Sequence, residues 1–344
     1  MSNSKPGQSI ISGVHNVCSL ADEAQDEIDG SSEVELRQVN VSIESHGGRL
    51  DKALAELVPE FSRSYLQQLI EAGGVLVKGL KTVKPSSKVK AGDTLTIELR
   101  PTPQSEAFKA ETMVLEVVFE DRYLLVINKP AGLVVHPAPG NWSGTLLNGL
   151  LARDPQAAYL PRTGIVHRLD KDTSGLMVVA RQRQTMDQLV SMIAARSVSR
   201  EYIALAHGAW QGAHTRQVEA PIGRDPRNRL RMAAVDLEKN PGKPALTVLS
   251  LLQSVQGHCL VKCRLHTGRT HQIRVHMASL GHPLVSDVLY GGAIAGGMQR
   301  QALHACRLAF NHPMTGATME FKSPPPPDLR EAIANFGLRY NQTL

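Results

Sequence analysis

Gly164-Ile-Val-His-Arg-Leu-Asp-Lys-Asp-Thr-Ser-Gly175 places a carboxylate, Asp170, in the middle of a cationic, turn-rich segment. Ile165-Val166 precedes the charged residues and Leu176-Met-Val-Val-Ala180 follows them, both β-like by composition, so the segment reads as a loop held between buried strands. His167, Arg168, Lys171 and Asp172 share the turn. Positive neighbours keep a carboxylate ionised, which suits a nucleophile or an electrostatic stabiliser better than a proton donor. The same residue types also build plain turns, helix caps and solvated salt bridges, so the pattern alone leaves a structural reading open beside the catalytic one.

Around this segment the composition sets bounds. The 344 residues suffice for two domains and a tail, and with only 4% aromatic residues the core must be chiefly Leu, Val, Ile and Ala. The net charge is +6, although Asp22, Glu23, Asp26, Glu27, Asp29, Glu33 and Glu35 face only Lys5 and Arg37 near the start. The remainder is therefore more basic than the average, which favours a polyanionic partner, nucleic acid first. Cys18, Cys259, Cys263 and Cys306 show no CxxC pair and are too sparse for a disulfide scaffold. They read as reduced thiols, with a metal site at Cys259, Cys263 and His258 or His266 as the alternative. No metal and no cofactor are expected. No apolar run approaches the ~18 residues of a membrane span and no export signal is evident, so a cytoplasmic protein without membrane contact is expected. A monomer is expected because every amphipathic element has an evident core partner.

Residues 1 to 45 are polar and acidic and read as a disordered tail. From Arg49, helical spacing puts Leu50, Ala53, Leu54 and Leu57 on one face, and Ser62 can cap a second helix carrying Tyr65, Leu66, Leu69 and Ile70. Val75-Leu-Val77 and the alternating Thr94-Leu-Thr-Ile-Glu-Leu99 read as strands, and the five lysines from Lys78 to Lys90 meet no acid. A polar, Pro-bearing stretch from Arg100 to Ala110 reads as a linker. Beyond it, short alternating strands such as Val114–Phe119, Tyr123–Ile127 and Leu260–Leu265 mix with a few helices such as Thr185–Arg196. With no βαβ repeat and no phosphate-binding glycine motif, this predicts an α+β domain with a largely antiparallel sheet.

His167-Arg-Leu-Asp-Lys-Asp-Thr-Ser-Gly175 resembles the signature loop of the RluA family of pseudouridine synthases. Arg200-Glu-Tyr202-Ile-Ala, Leu265-His-Thr-Gly-Arg269-Thr-His-Gln-Ile-Arg274-Val-His-Met277, Asn128-Lys-Pro-Ala-Gly-Leu-Val-Val-His136-Pro and Gln301-Ala-Leu-His304-Ala resemble other blocks of that family, in its order. The resemblance runs from Arg49 to about Pro327. It implies an isomerase that detaches uracil from ribose at N1 and rejoins it through C5, on a long mixed sheet with the cleft across its middle. It further implies Asp170 as the catalytic residue, Tyr202 stacked on the target base, Arg274 paired with Asp170, and Arg168 filling the space of an extruded nucleotide. Arg269, in the preceding turn, is the rival for the pairing and otherwise an RNA contact. Two short helices followed by a basic hairpin resemble the S4 RNA-binding domain, in which Arg49, Arg63, Lys78, Lys81 and Lys84 would grip phosphates. The implied partner is RNA: large-subunit ribosomal RNA or a ribosomal precursor particle. The implied domains are 46–105 (S4-like) and 111–330 (synthase), followed by a C-terminal segment, 331–344.

His167 reads as a structural histidine, while Lys129 and His136 read as shaping the cleft. Arg224, Arg227, Arg229 and Arg231, with Asp225 among them, make a basic loop that suits solvent or RNA equally. Two other classes stay open. One is a hydrolase using Asp170 and Asp172, either a glycosidase or, with His167, a metal-dependent phosphodiesterase. The other is a non-catalytic RNA-binding factor, for which Asp170 would be dispensable.

Overall fold

In residues 35–99, two amphipathic helices close over a small sheet. Helices α1 (Leu50–Leu57) and α2 (Arg63–Glu71) turn Leu50, Ala53, Leu54, Leu66, Leu69 and Ile70 into one apolar cluster. The cluster is completed by Val75, Leu95 and Ile97 from a four-stranded sheet. Its strands are β1 (Glu35–Asn40), β2 (Val75–Val77), β3 (Leu80–Lys81) and β4 (Thr94–Leu99), in the order β1-β4-β2-β3. The computed structural model describes residues 35–59, 63–99, 108–138, 140–228 and 231–341. The chain divides into two compact units, Met1–Pro101 and Thr102–Leu344. The expected tail lies mostly outside the described residues, but its last part does not behave as a tail. Residues 35–40 pair with β4 from Glu35↔Leu99 to Asn40↔Thr94. An edge strand needs only one neighbour for its backbone, and Val39 and Val41 supply the inward contacts. Ser62, the side chain of Tyr65 and most of the expected linker lie outside the description.

In the second unit the strands are β5 (Glu116–Glu120), β6 (Leu124–Lys129), β7 (Ser174–Ala180), β8 (Ser199–His207) and β9 (Thr215–Glu219). Then β10 (Ile222–Arg224), β11 (Met232–Ala234) and β12 (Gly242–Lys243) form a separate small sheet. The main sheet resumes with β13 (Leu246–Val255), β14 (His258–Leu265), β15 (Leu303–Asn311) and β16 (Thr318–Lys322). Its order is β5-β6-β7-β15-β8-β14-β13-β9, with β16 also on β15, and among the described residues only β7 and β15 run parallel. This is the α+β architecture with a long mixed, largely antiparallel sheet that the sequence predicts.

Period-two alternation sorts the two faces. Ile127, Met177, Tyr202, Ala204 and Val261 share one cluster with Leu146, Leu147 and Leu150 of α3 (Leu146–Arg153). On the other face, Leu124, Val126, Leu176 and Val178 pack on Leu189 of α4 (Arg183–Ala194). There also Ile203, Leu205 and Leu260 pack on Leu329, Ala332 and Ile333. Helix α5 (Gln272–Ser279) lies on the first face through Ile273 and Met277. The three residues facing Leu260 belong to α6 (Pro327–Asn335), so the expected boundary at 330/331 falls inside a helix whose apolar face is core. Covered on both sides, β7 is buried at every position, which is why it reads as a continuous apolar run.

Candidate active site

Glycines fix both ends of the 164–175 segment. Gly164 has φ +81°, and a Cβ there would lie 1.9 Å from the Ala180 carbonyl oxygen; Gly175 has φ +118°, and its Cβ would lie 2.3 Å from the Ala305 carbonyl oxygen. A side chain at either position would collide with neighbouring backbone, so only glycine lets the loop enter and leave so close to it. Between them, Thr173 N–H donates to the Asp170 carbonyl at 3.1 Å and closes a turn. The buried Lys129 ammonium donates to the carbonyls of Pro130, Leu133 and Lys171 at 2.8–2.9 Å. Arg300 Nη1 donates to the Asp172 carbonyl at 2.9 Å. Burial pushes Lys129 down to about 7, partly offset by Asp172 and Asp170. His167 Nε2 accepts from the Val178 N–H at 3.0 Å, which leaves the proton on Nδ1, and burial holds this imidazole down to about 3. It is a neutral strut, not an acid or base at neutral pH.

Asp170 opens from this scaffold into a cleft of about 990 Å³, the upper end of the ~300–1,000 Å³ usual for ligand clefts. Its side chain is 19% exposed, and its Oδ2 accepts from Arg274 Nη1 at 3.2 Å. Arg274 also donates twice to Asp287, Nε to Oδ2 at 2.7 Å and Nη2 to Oδ1 at 2.8 Å. The guanidinium therefore divides between a buried fork partner and a partly exposed carboxylate, and Asp287 fixes its direction while Asp170 keeps free lone pairs. Tyr290 packs its ring 4.9 Å from the Arg274 guanidinium carbon. The Tyr290 hydroxyl accepts Met232 N–H at 3.0 Å and meets His271 Nδ1 at 2.8 Å. The other ring nitrogen of His271, Nε2, faces Asp170 Oδ1 at 3.9 Å, beyond hydrogen-bond reach. Burial keeps His271 below the usual histidine range.

Arg274 gets its position from α5. Gln272 Nε2 donates to the Leu246 carbonyl at 3.0 Å and to Thr247 Oγ1 at 2.9 Å, while His276 bridges Thr247 Oγ1 and the Ala220 carbonyl at 2.8 and 2.9 Å. Tyr202 lines the same cleft from β8, 5% exposed, and burial pushes its hydroxyl up to about 12. Arg168 and Arg269 also line the cleft. Arg269 Nε donates to the Pro244 carbonyl at 3.0 Å, and the guanidinium paired with Asp170 is that of Arg274. Asp172 does not line the cleft, and among the described residues no group of three or more His, Cys, Asp or Glu is placed to hold a metal ion. Asp287, Tyr290, His271 and Arg200 belong to the site without having been singled out in the sequence for a role there. No local pattern ties position 287 to 274.

The cations of the first unit are placed differently. Asp51, fully buried, accepts from Arg49 at 3.0 and 3.2 Å, from Arg63 at 3.2 and 2.8 Å, and from Gln67 at 2.6 Å. The Arg49 hydrogen bond, with those of Gln67 and Arg63, holds its carboxyl well below the usual range. Lys78 pairs with Asp93 at 2.7 Å. Lys81 and Lys84 are exposed on the basic hairpin. In the second unit, Arg231 Nε donates to Asp225 at 2.6 Å, and Arg229 lies outside the described residues.

Residues 123–279 match the RNA pseudouridylate synthase family, and residues 48–95 match the S4 domain. The ribosomal large-subunit pseudouridine synthase D of Neisseria meningitidis serogroup B is 47% identical over 318 residues, 88% of this chain and 83% of that protein. The chain belongs to the RNA pseudouridylate synthase family. The Xanthomonas campestris protein of the same name is 44% identical over 92% of this chain and 96% of its own length. Among solved structures, human RNA pseudouridylate synthase domain containing 1 is 29% identical with a TM-score of 0.51, covering 64% of this chain and 87% of that one. Human RNA pseudouridylate synthase domain containing 4, at 21% identity and a TM-score of 0.51 over 65% of this chain and 94% of that one, shares the fold. As a member of this family the chain is an isomerase acting on RNA uridines, joined to an S4 domain. Among the described residues no helix is long and apolar enough to cross a membrane.

Proposed function

We propose that this synthase isomerises uridines of large-subunit ribosomal RNA, with Asp170 acting at the glycosidic bond of a uridine extruded into the cleft. The observation that carries the reading is the arrangement Asp287–Arg274–Asp170. A guanidinium saturated on one side by a buried carboxylate aims a second, partly open carboxylate into a nucleotide-sized space. An ionised Asp170 serves as nucleophile or stabilises the positive charge that develops on the ribose as N1 leaves. The freed uracil turns on the Tyr202 ring and bonds to ribose through C5. N1 then carries a proton and C5 gives one up, so atoms balance with no redox step. Extrusion of the uridine costs a few kcal/mol, which cleft contacts offset, with Arg168 as the side chain that fills the vacated stack. The S4 lysines Lys81 and Lys84 and the half-exposed Arg49, Arg63 and Lys78 supply phosphate contacts that carry no sequence information. The names of the relatives point to the large-subunit RNA.

Pseudouridine mapping of ribosomal RNA from a strain lacking the gene tests this. One or more large-subunit sites should revert to uridine and return with the wild-type gene but not with Asp170→Asn. If every large-subunit pseudouridine persists in the deletion strain, the ribosomal assignment is wrong.

A further inference from the structure

Arg200 is a charged side chain that no described residue neutralises. It is 6% exposed, its Nε is shut off from solvent with no hydrogen-bond partner, and no carboxylate pairs with it among the described residues. It stands two residues before Tyr202 on β8, so both side chains leave the strand on the same face, about 6.6 Å apart along it, and both line the cleft. Gly268 covers it. A Cβ at that position would press on Arg200 Nη1 at 3.0 Å, so the glycine leaves the guanidinium its room. A buried cation without a counter-charge is costly to maintain, and folded proteins keep one where a ligand completes it. The surroundings say which kind. Among the described residues, six arginines line the cleft, Arg162, Arg168, Arg196, Arg200, Arg269 and Arg274, against one carboxylate, Asp170, which Arg274 already engages. The nearby imidazoles of His167 and His266 are held below their usual range by burial and by cations that include Arg200, so they stay neutral and offer Arg200 no counter-charge.

We propose that Arg200 is the seat of a phosphodiester anion of the substrate strand, at the target uridine or the linkage beside it. The guanidinium fork donates to two phosphate oxygens, and the backbone held there fixes how far the base above Tyr202 reaches toward Asp170. This rests on the reading that the cleft takes RNA.

The test uses the full chain and a short RNA stem-loop containing a converted uridine, with the linkages around it replaced one at a time by uncharged methylphosphonate. Single-turnover conversion is measured for wild type, Arg200→Gln and Arg200→Lys. At one linkage, methylphosphonate should slow wild type and Arg200→Lys by about tenfold or more and leave Arg200→Gln no slower than on unmodified RNA. Arg200→Gln should melt at or above the wild-type temperature, since it removes an uncompensated buried charge. Losses that multiply at every linkage would assign the guanidinium to something other than phosphate, and a lowered melting temperature would make it a structural residue; either result overturns the proposal. If wild type fails to convert the unmodified RNA, the RNA reading of the cleft falls with it.

Discussion

Asp51 in the first unit and Asp170 in the second are both aspartates beside arginine, yet Asp51 accepts five hydrogen bonds on a fully buried side chain while Asp170 accepts one from a side chain and stays 19% exposed. A carboxylate has about four lone-pair sites. At Asp51 they are used up, and the group ties the start of α1 to α2. At Asp170 most remain available, and the arginine that aims it draws its own compensation from Asp287. Saturation, more than the presence of arginine, separates a carboxylate that holds structure from one that can react.

Removing each charge in turn would break or sharpen that contrast. Asp170→Asn keeps shape and loses charge; pseudouridine formation, followed by tritium release from C5-labelled uridine, should fall by about a thousandfold or more, with the melting temperature nearly unchanged. Residual activity within about tenfold of wild type would mean that the open carboxylate is not the reacting group. Asp51→Asn should do the reverse. Two half-exposed arginines would lose their buried partner, at a cost of about 2 kcal/mol. Calorimetry should show an earlier transition, while folded protein converts a short stem-loop within about twofold of wild type.

The smallest expected effect concerns the strut beneath Asp170. Burial holds His167 at about 3 against an ordinary 6.5, so between those values the unfolded chain binds a proton there that the folded protein refuses. Stability from this residue is complete above about pH 6.5 and drains away as the pH falls toward 3. Urea unfolding of His167→Gln across that window should show a shallower acid slope, by at most about 1.4 kcal/mol per pH unit. An unchanged slope would show that the imidazole titrates normally and that the loop is less closed than its hydrogen bonds imply.

Much of this was legible in residue order. The apolar stripes of α1 and α2 and the alternation of β4 announce the first unit, and the 164–175 motif announces the loop that carries Asp170. Helix α5 was not legible, because Gln272-Ile-Arg-Val-His-Met277 alternates polar and apolar residues like a strand. It is helical because Gln272 and His276 find acceptors on β13 and on the Ala220 carbonyl that satisfy them when buried. The Asp287 fork and the solitary Arg200 depend on approaches between distant segments, and no spacing rule reports those. Strand β1 hid for another reason: an edge strand with two modest inward residues carries too little pattern to stand out from the acidic stretch before it.

The parallel pairing of β7 with β15 has a consequence for when the protein becomes competent. Ser174 and His304 bond across it although 130 positions separate them, so this seam closes late by the logic of chain entropy. Until β15 has emerged from the translating ribosome, β7 lacks a neighbour on one side and the Asp172 carbonyl lacks Arg300. Synthesis of nearly the whole second unit must therefore precede the full set of contacts around the Asp170 turn, and a nascent chain cut short of β15 lacks its later supports.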